Sequence, residues 1–111
     1  MAGANTLEFS DQNFESEVLN ASTPVLVDFW AEWCSPCKAL GPVIDDLAND
    51  YVGRVKIGKL NTDHNPSMSV RFSVSSIPTV ILFNNGQIVD RFVGLQGKKV
   101  FQAAIDKLTS K

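Results

Sequence analysis

Cysteine is all but absent from this chain, which has two among 111 residues. Two are too few for a disulfide framework, which leaves redox chemistry and metal binding as the uses open to them. Histidine is scarcer still, with His64 alone, so a zinc site on the two cysteines would want for its second pair of ligands. Long hydrophobic runs are missing too: residues 25–30 and 80–83 fall far short of the roughly 20 that cross a bilayer as a helix. Residues 1–9 have neither the positive start nor the apolar centre of a secretion signal. The default compartment is therefore the reducing cytoplasm, where a close cysteine pair is redox-active or metal-binding. Nor does one sign of charge prevail. The net charge is −2 with acids and bases dispersed, and no basic patch suits nucleic acid or an anionic membrane surface. Linkers, repeats, low-complexity stretches and a glycine-rich nucleotide fingerprint are all lacking.

What remains is the composition of one soluble globular domain over residues 1–111, with 44% hydrophobic and 20% charged residues. Residues 6–9 read as a short edge strand. Ser10 reads as the N-cap of a helix, with Asp11 and Glu15 in its first turn and Phe14, Val18 and Leu19 on one face. Residues 25–30 are apolar on both faces apart from Asp28, the pattern of a central strand. From Cys34 to about Tyr51, Leu40, Val43, Ile44 and Leu47 recur at helical spacing, and Pro42 inside that helix is expected to kink it. Residues 55–60 predict a further strand, 65–72 a short helix and 79–83 a second buried strand. Asn84-Asn85-Gly86 signals a hairpin into residues 87–93. A last helix is expected to turn Val100, Phe101, Ala104, Ile105 and Leu108 to the sheet. The order βαβαβαββα implies an α/β fold, its mixed sheet parallel in part, antiparallel at the hairpin, and covered by helices on both faces. In such sheets function gathers where strands end and helices begin, and Cys34 falls at such a junction.

The two cysteines stand in Trp33-Cys34-Ser35-Pro36-Cys37. At that spacing one thiolate attacks a disulfide and the other is close enough to resolve the mixed disulfide. Cys34 lies at the start of the helix, where unpaired N–H groups and the positive end of the helix dipole favour a thiolate. Pro36 fits the first turn, where its missing N–H costs nothing. Cys37, one turn further in, is expected to be the more shielded thiol, so Cys34 is the nucleophile and Cys37 the resolving thiol. Asp28 sits mid-strand, where burial raises a carboxyl pKa and suits it to accept the proton of Cys37; a sheet-edge or capping carboxylate is the plainer alternative. Lys59 is placed to neighbour Asp28 across the sheet, though a solvated strand lysine explains it equally simply. Pro78, between Ile77 and a buried strand, is a candidate cis proline. Trp33 is expected to be partly exposed beside Cys34. His64, Lys98, Lys99 and Met68 read as surface or packing residues.

Taken together, residues 29–38 (Phe-Trp-Ala-Glu-Trp-Cys-Ser-Pro-Cys-Lys), Lys59-Leu60-Asn61-Thr62-Asp63, Ile77-Pro78-Thr79 and Phe83-Asn84-Asn85-Gly86 strongly resemble the thioredoxin family, in order and over about residues 6–108. The resemblance implies a thioredoxin fold, with about five strands flanked by four helices, and a reversible Cys34–Cys37 dithiol/disulfide that reduces protein disulfides. It matches Asp28 to the family's buried carboxylate and Lys59 to the lysine that accompanies it. It makes Pro78 a cis proline lying against the dithiol, whose preceding backbone pairs with an extended substrate. With Trp33, Ser35 and Pro36, it places Ile77 and Gly94 on the substrate-binding rim. Partners implied are protein disulfides and an NADPH-dependent thioredoxin reductase; no bound cofactor or metal, no nucleic acid, no membrane and a monomeric state are expected. Ser35 and Ser76 stand where the family commonly has glycine. Since about 30 mV is a tenfold change in a two-electron equilibrium, Ser35 bears on the potential. The rival readings are a disulfide oxidase or isomerase, and a non-catalytic thioredoxin-fold binding subunit.

Overall fold

The computed structural model of the chain describes residues 3–109, and these alternate strand and helix in the expected order. Strand β1 (Leu7–Phe9) leads through a π-helical turn (Glu15–Leu19) to β2 (Val25–Trp30) and helix α1 (Ser35–Asp50). Then come β3 (Lys56–Asn61), α2 (Pro66–Arg71), the hairpin of β4 (Thr79–Asn84) and β5 (Gln87–Val93), and α3 (Lys98–Thr109). Three α-helices and one π-helical turn thus flank five strands. No helix among the described residues is long and apolar enough to cross a membrane.

The first helical segment departs from the expected α-helix. Its N-cap is Phe14 rather than Ser10, with no side-chain capping bond; Ser10 instead closes the preceding turn, its N–H donating to Asn13 Oδ1 at 2.8 Å and its Oγ accepting from the Asn13 N–H at 3.2 Å. Beyond Phe14 the backbone widens, so that Asn20 N–H reaches Glu15 O at 2.9 Å, one residue further than an α-helix allows. Phe14 and Val18 both point into the core.

Strand order in the sheet is β1-β3-β2-β4-β5. β2 pairs in parallel with β3, Asp28 beside Lys59, and antiparallel with β4, Asp28 beside Val80. The hairpin signal correctly marks an antiparallel pair, with Asn85 and Gly86 both at positive φ (55° and 76°), but the β2–β4 pairing is antiparallel as well. Residues 62–78, which include the six-residue α2, carry the chain back into the sheet at the end where β3 stopped. This brings the start of β4 to the C-terminal end of β2, and so to the start of α1.

Strand alternation divides the core in two. Leu26, Ile57, Val80 and Leu82 face α1 and α3, meeting Leu40, Ile44, Leu47, Phe101 and Ile105. Val25, Val27, Phe29, Leu60, Ile81 and Phe83 face the other way, against Phe14, Val18, Met68 and Phe72. α1 continues through Pro42 as one helix. On α3, Phe101 and Ile105 are buried and Ala104 and Leu108 pack beside them, but Val100 is exposed, contrary to the periodic reading. It lies in the first turn of α3.

Phe14 is fully buried and its ring meets those of Phe9, Phe72 and Phe83 at centroid distances of 6.5, 5.4 and 5.6 Å. Phe14→Ala is expected to lower unfolding free energy by about 3–5 kcal/mol, measured as a shift of the urea midpoint at unchanged slope.

Candidate active site

From the end of β2 the chain passes through Ala31-Glu32-Trp33 to Cys34, the N-cap of α1, whose backbone is still extended (φ −95°, ψ 106°). Cys34 Sγ accepts from the Cys37 N–H at 3.2 Å, and Cys34 O accepts the helical bond from Lys38 N–H at 3.1 Å. Ser35 and Pro36 fill the first turn, where proline forfeits no helical hydrogen bond. One turn of helix thus sets the Cα atoms of Cys34 and Cys37 5.2 Å apart, and the two are joined as a disulfide. Both cysteines are buried, at 4% and 2% exposure, so the expected greater shielding of Cys37 is a small difference in this oxidised form. Among the described residues no three His, Cys, Asp or Glu side chains converge as metal ligands.

The start of β4 supplies the facing wall. The Ile77–Pro78 peptide is cis, and Ile77 O lies 3.7 Å from Cys34 Sγ. Gly94 N–H donates to Pro78 O at 2.8 Å, and Gly94 holds φ at +92°, a conformation that side-chain-bearing residues rarely adopt. Ser76 O accepts from Thr79 Oγ1. Among the described residues the Ile77 N–H and C=O enter no backbone hydrogen bond, which leaves the backbone of the bend before β4 free to pair beside the disulfide. Trp33 is 71% exposed and anchored by its Nε1–H, which donates to Asp63 Oδ2 at 3.0 Å.

Asp28 lies on the α1 face of β2, 1% exposed, with neither carboxylate oxygen hydrogen-bonded. The sheet-edge alternative is thereby removed. Burial pushes its pKa up to about 7, against the downward pull of the Lys59 ammonium, with Asp45 adding to the rise. Lys59 is largely covered rather than solvated. Its Nζ lies 3.9 Å from Asp45 Oδ1 and 5.7 Å from the centroid of the Trp30 ring. A cleft of about 760 Å³ opens beside these groups, bordered by Cys37, Trp30, Asp45, Lys59 and His64.

The residues singled out in the sequence thus fall into two connected places. Cys34, Cys37, Ser35, Pro36, Ile77, Pro78 and Gly94 meet at the α1 N-terminus, with Trp33 on its rim. Asp28 and Lys59 lie behind, under α1. Sequence reasoning missed Asp45 and Asp63. Asp45 stands one helical turn after Gly41 on the half-buried side of α1, so helical spacing could have flagged it; nothing local marks Asp63 as the Trp33 partner.

A disulfide closed across one helical turn, beside backbone free to pair, has exchange with another molecule's disulfide as the chemistry within its reach. The class is that of the thiol–disulfide oxidoreductases. The thioredoxin family model matches residues 5–107. The chain is 46% identical over 100 residues to thioredoxin of Chlorobaculum thiosulfatiphilum, covering 90% of this chain and 93% of that one. It is 44% identical over 102 residues to thioredoxin of Synechocystis sp., covering 92% and 95%. To thioredoxin 1 of Synechococcus elongatus it is 47% identical over 98 residues, covering 88% and 92%. The chain belongs to the thioredoxin family, and is a protein-disulfide reductase of the thioredoxin type.

The raised Asp28 pKa makes stability depend on pH in a defined sense. Below about pH 4 the carboxyl is neutral in both folded and unfolded chains. Between about pH 4 and 7 it ionises only when unfolded, so folding stability falls; above about pH 7 the folded chain ionises too and the loss levels off. Asp28→Ala removes this loss. Measured by urea unfolding of the oxidised protein, its stability relative to the parent is expected to rise by a few kcal/mol from pH 4 to 7 and then to hold. A constant offset across that range would contradict the assignment.

Proposed function

We propose that the reduced chain donates two electrons to disulfides of other proteins, with a distinct role for each site residue. The Cys34 thiolate, favoured at the N-terminus of α1, attacks one sulfur of the target; that S–S bond breaks, a Cys34–target mixed disulfide forms, and the target's other sulfur leaves as a thiolate. Asp28, ionised, takes the proton of Cys37. The Cys37 thiolate then attacks Cys34 Sγ, the second target sulfur leaves, and the chain is left with the Cys34–Cys37 disulfide. The target has gained two electrons, and protons from Asp28 and water complete its thiols.

The observation that carries this reading is the disulfide itself, seated at a helix N-terminus 3.7 Å from Ile77 O. The unengaged Ile77 backbone suits an extended target segment that adds to it as a strand would. Trp33, Ser35 and Pro36, all exposed, with Ile77, Pro78 and Gly94, form the rim such a segment crosses. Buried Asp28 with a pKa of about 7 is matched to proton transfer near neutrality. Ser35 lies inside the redox ring and tunes its potential. Reduction of the spent disulfide falls to an NADPH-dependent thioredoxin reductase. The chain acts as a monomeric electron carrier in the cytoplasm, where targets are kept reduced.

With insulin as a model target and an excess of dithiothreitol as reductant, Cys34→Ser is expected to abolish the chain's acceleration of reduction. Mixed with insulin in the absence of dithiothreitol, Cys37→Ser should accumulate a Cys34 mixed disulfide, visible by mass spectrometry. Retained turnover in Cys34→Ser overturns the mechanism. Equilibration in glutathione buffers separates directions of electron flow: a potential well below that of the glutathione pool marks a reductant, and a markedly higher one an oxidase or isomerase. Asp28→Asn is expected to slow release from the mixed disulfide on the order of 10- to 100-fold near neutral pH, measured by stopped-flow.

A further inference from the structure

Lys59 stands beside Asp28 in the sheet register, yet its ammonium is not on that carboxylate, whose two oxygens have no hydrogen-bond partner. Nζ is turned to the α1 side instead. It lies 3.9 Å from Asp45 Oδ1, over the Trp30 ring, and under Gly41, where an added Cβ would come within 3.4 Å of it. Asp45 is itself fixed. Its Oδ1 accepts from Thr6 Oγ1 at 2.6 Å, so the chain just before β1 ties the carboxylate down. Burial works to raise the Asp45 pKa, but hydrogen bonds from Thr6 and the Gly3 backbone, together with the Lys59 ammonium, outweigh it and hold the carboxyl below its usual range. It stays ionised, and so keeps its hold on the lysine.

We infer that Asp45 is a positioning residue for Asp28: by holding the Lys59 ammonium on α1 it keeps that cation off the buried carboxylate, which is then able to carry a proton. Cys37 and Lys38 are the other ionisable groups of α1 at this cleft, β4 presents uncharged Val80 to Asp28, and Glu8, Glu32 and His64 also border the cleft. The charges that bear on Asp28 are Lys59, pulling its pKa down, and Asp45, pushing it up. The arrangement is one of competition. Two carboxylates share one cation, and the one with hydrogen-bond donors of its own takes it, because a fixed, partly solvated anion is cheaper to keep ionised than a fully buried one. The catalytic consequence rests on the reading of Asp28 as proton acceptor; the electrostatic relation does not.

The test is an NMR titration of the labelled Asp28 carboxyl in the oxidised protein, where neither cysteine titrates. Four proteins are compared: the parent, Asp45→Asn, Lys59→Met and the double variant. Asn keeps an oxygen for Thr6 and Gly3 and removes only the charge. Asp45→Asn is expected to lower the Asp28 midpoint by about one pH unit as Lys59 is released to it. In the Lys59→Met background the same change should move it by less than about a third as much, and Asp45→Glu should restore the parent value. An equal downward shift in both backgrounds would mean that Asp45 acts directly, and no shift in either that it does not act; each overturns the inference. The rate of release from a Cys34 mixed disulfide against pH is read alongside. If the Asp28 midpoint moves and the rate profile does not, the inference stands and the role of Asp28 as base falls.

Discussion

The burial of β2 on both faces is the constraint on which the rest depends. A strand with Val25, Val27 and Phe29 on one side and Leu26 on the other must be covered twice, and its backbone must pair on both edges. Slipping by one residue would exchange its faces and drive Asp28 into the Phe14–Phe83 cluster, so register is strongly specified. Once it is fixed, the end of β2 fixes the site. α1 begins five residues after Trp30, and β4, entering antiparallel, begins opposite Phe29. The cysteines and the Ile77–Pro78 peptide therefore meet because two chain segments converge on one strand end.

That arrangement places a charged group in the core, and its surroundings decide what the group can do. Asp28 shares the α1 face with Leu26 and is shut away from water, so ionising it is costly. A lysine one strand over would ordinarily remove the difficulty by pairing. Here Lys59 is drawn to Asp45 and Trp30, and Asp28 is left without a partner. Stability is given up for a carboxyl that titrates near neutrality, as active sites often require. A cleft bordered by Cys37, Asp45 and Lys59 lies beside this region.

Much of this was legible in the chain. Alternating and continuous apolar runs marked β2, β4 and α1, because period and length are local properties. Asn85-Gly86 marked the hairpin, because a two-residue turn with positive φ at both positions has few solutions. Trp33-Cys34-Ser35-Pro36-Cys37 marked the redox pair, because ring closure across one helical turn needs only that spacing. The π-helical widening after Phe14 and the exposure of Val100 were not legible, since both depend on how a segment seats against the sheet. The partners of the site were likewise hidden. Asp63 reaches Trp33 across 30 residues, and Thr6 reaches Asp45 across 39.

The sequence by itself determined the elements, the dithiol and the presence of one carboxylate in an apolar strand. It did so because backbone periodicity, capping and thiol spacing act over a few residues. Tertiary structure alone decided that β4 runs antiparallel to β2 and so brings Ile77 to Cys34. It alone decided that Asp28 is sealed from water and that Lys59 turns to Asp45. Those outcomes are set by which surfaces must be buried together and by the competition of two anions for one cation, and neither can be read from neighbours along the chain.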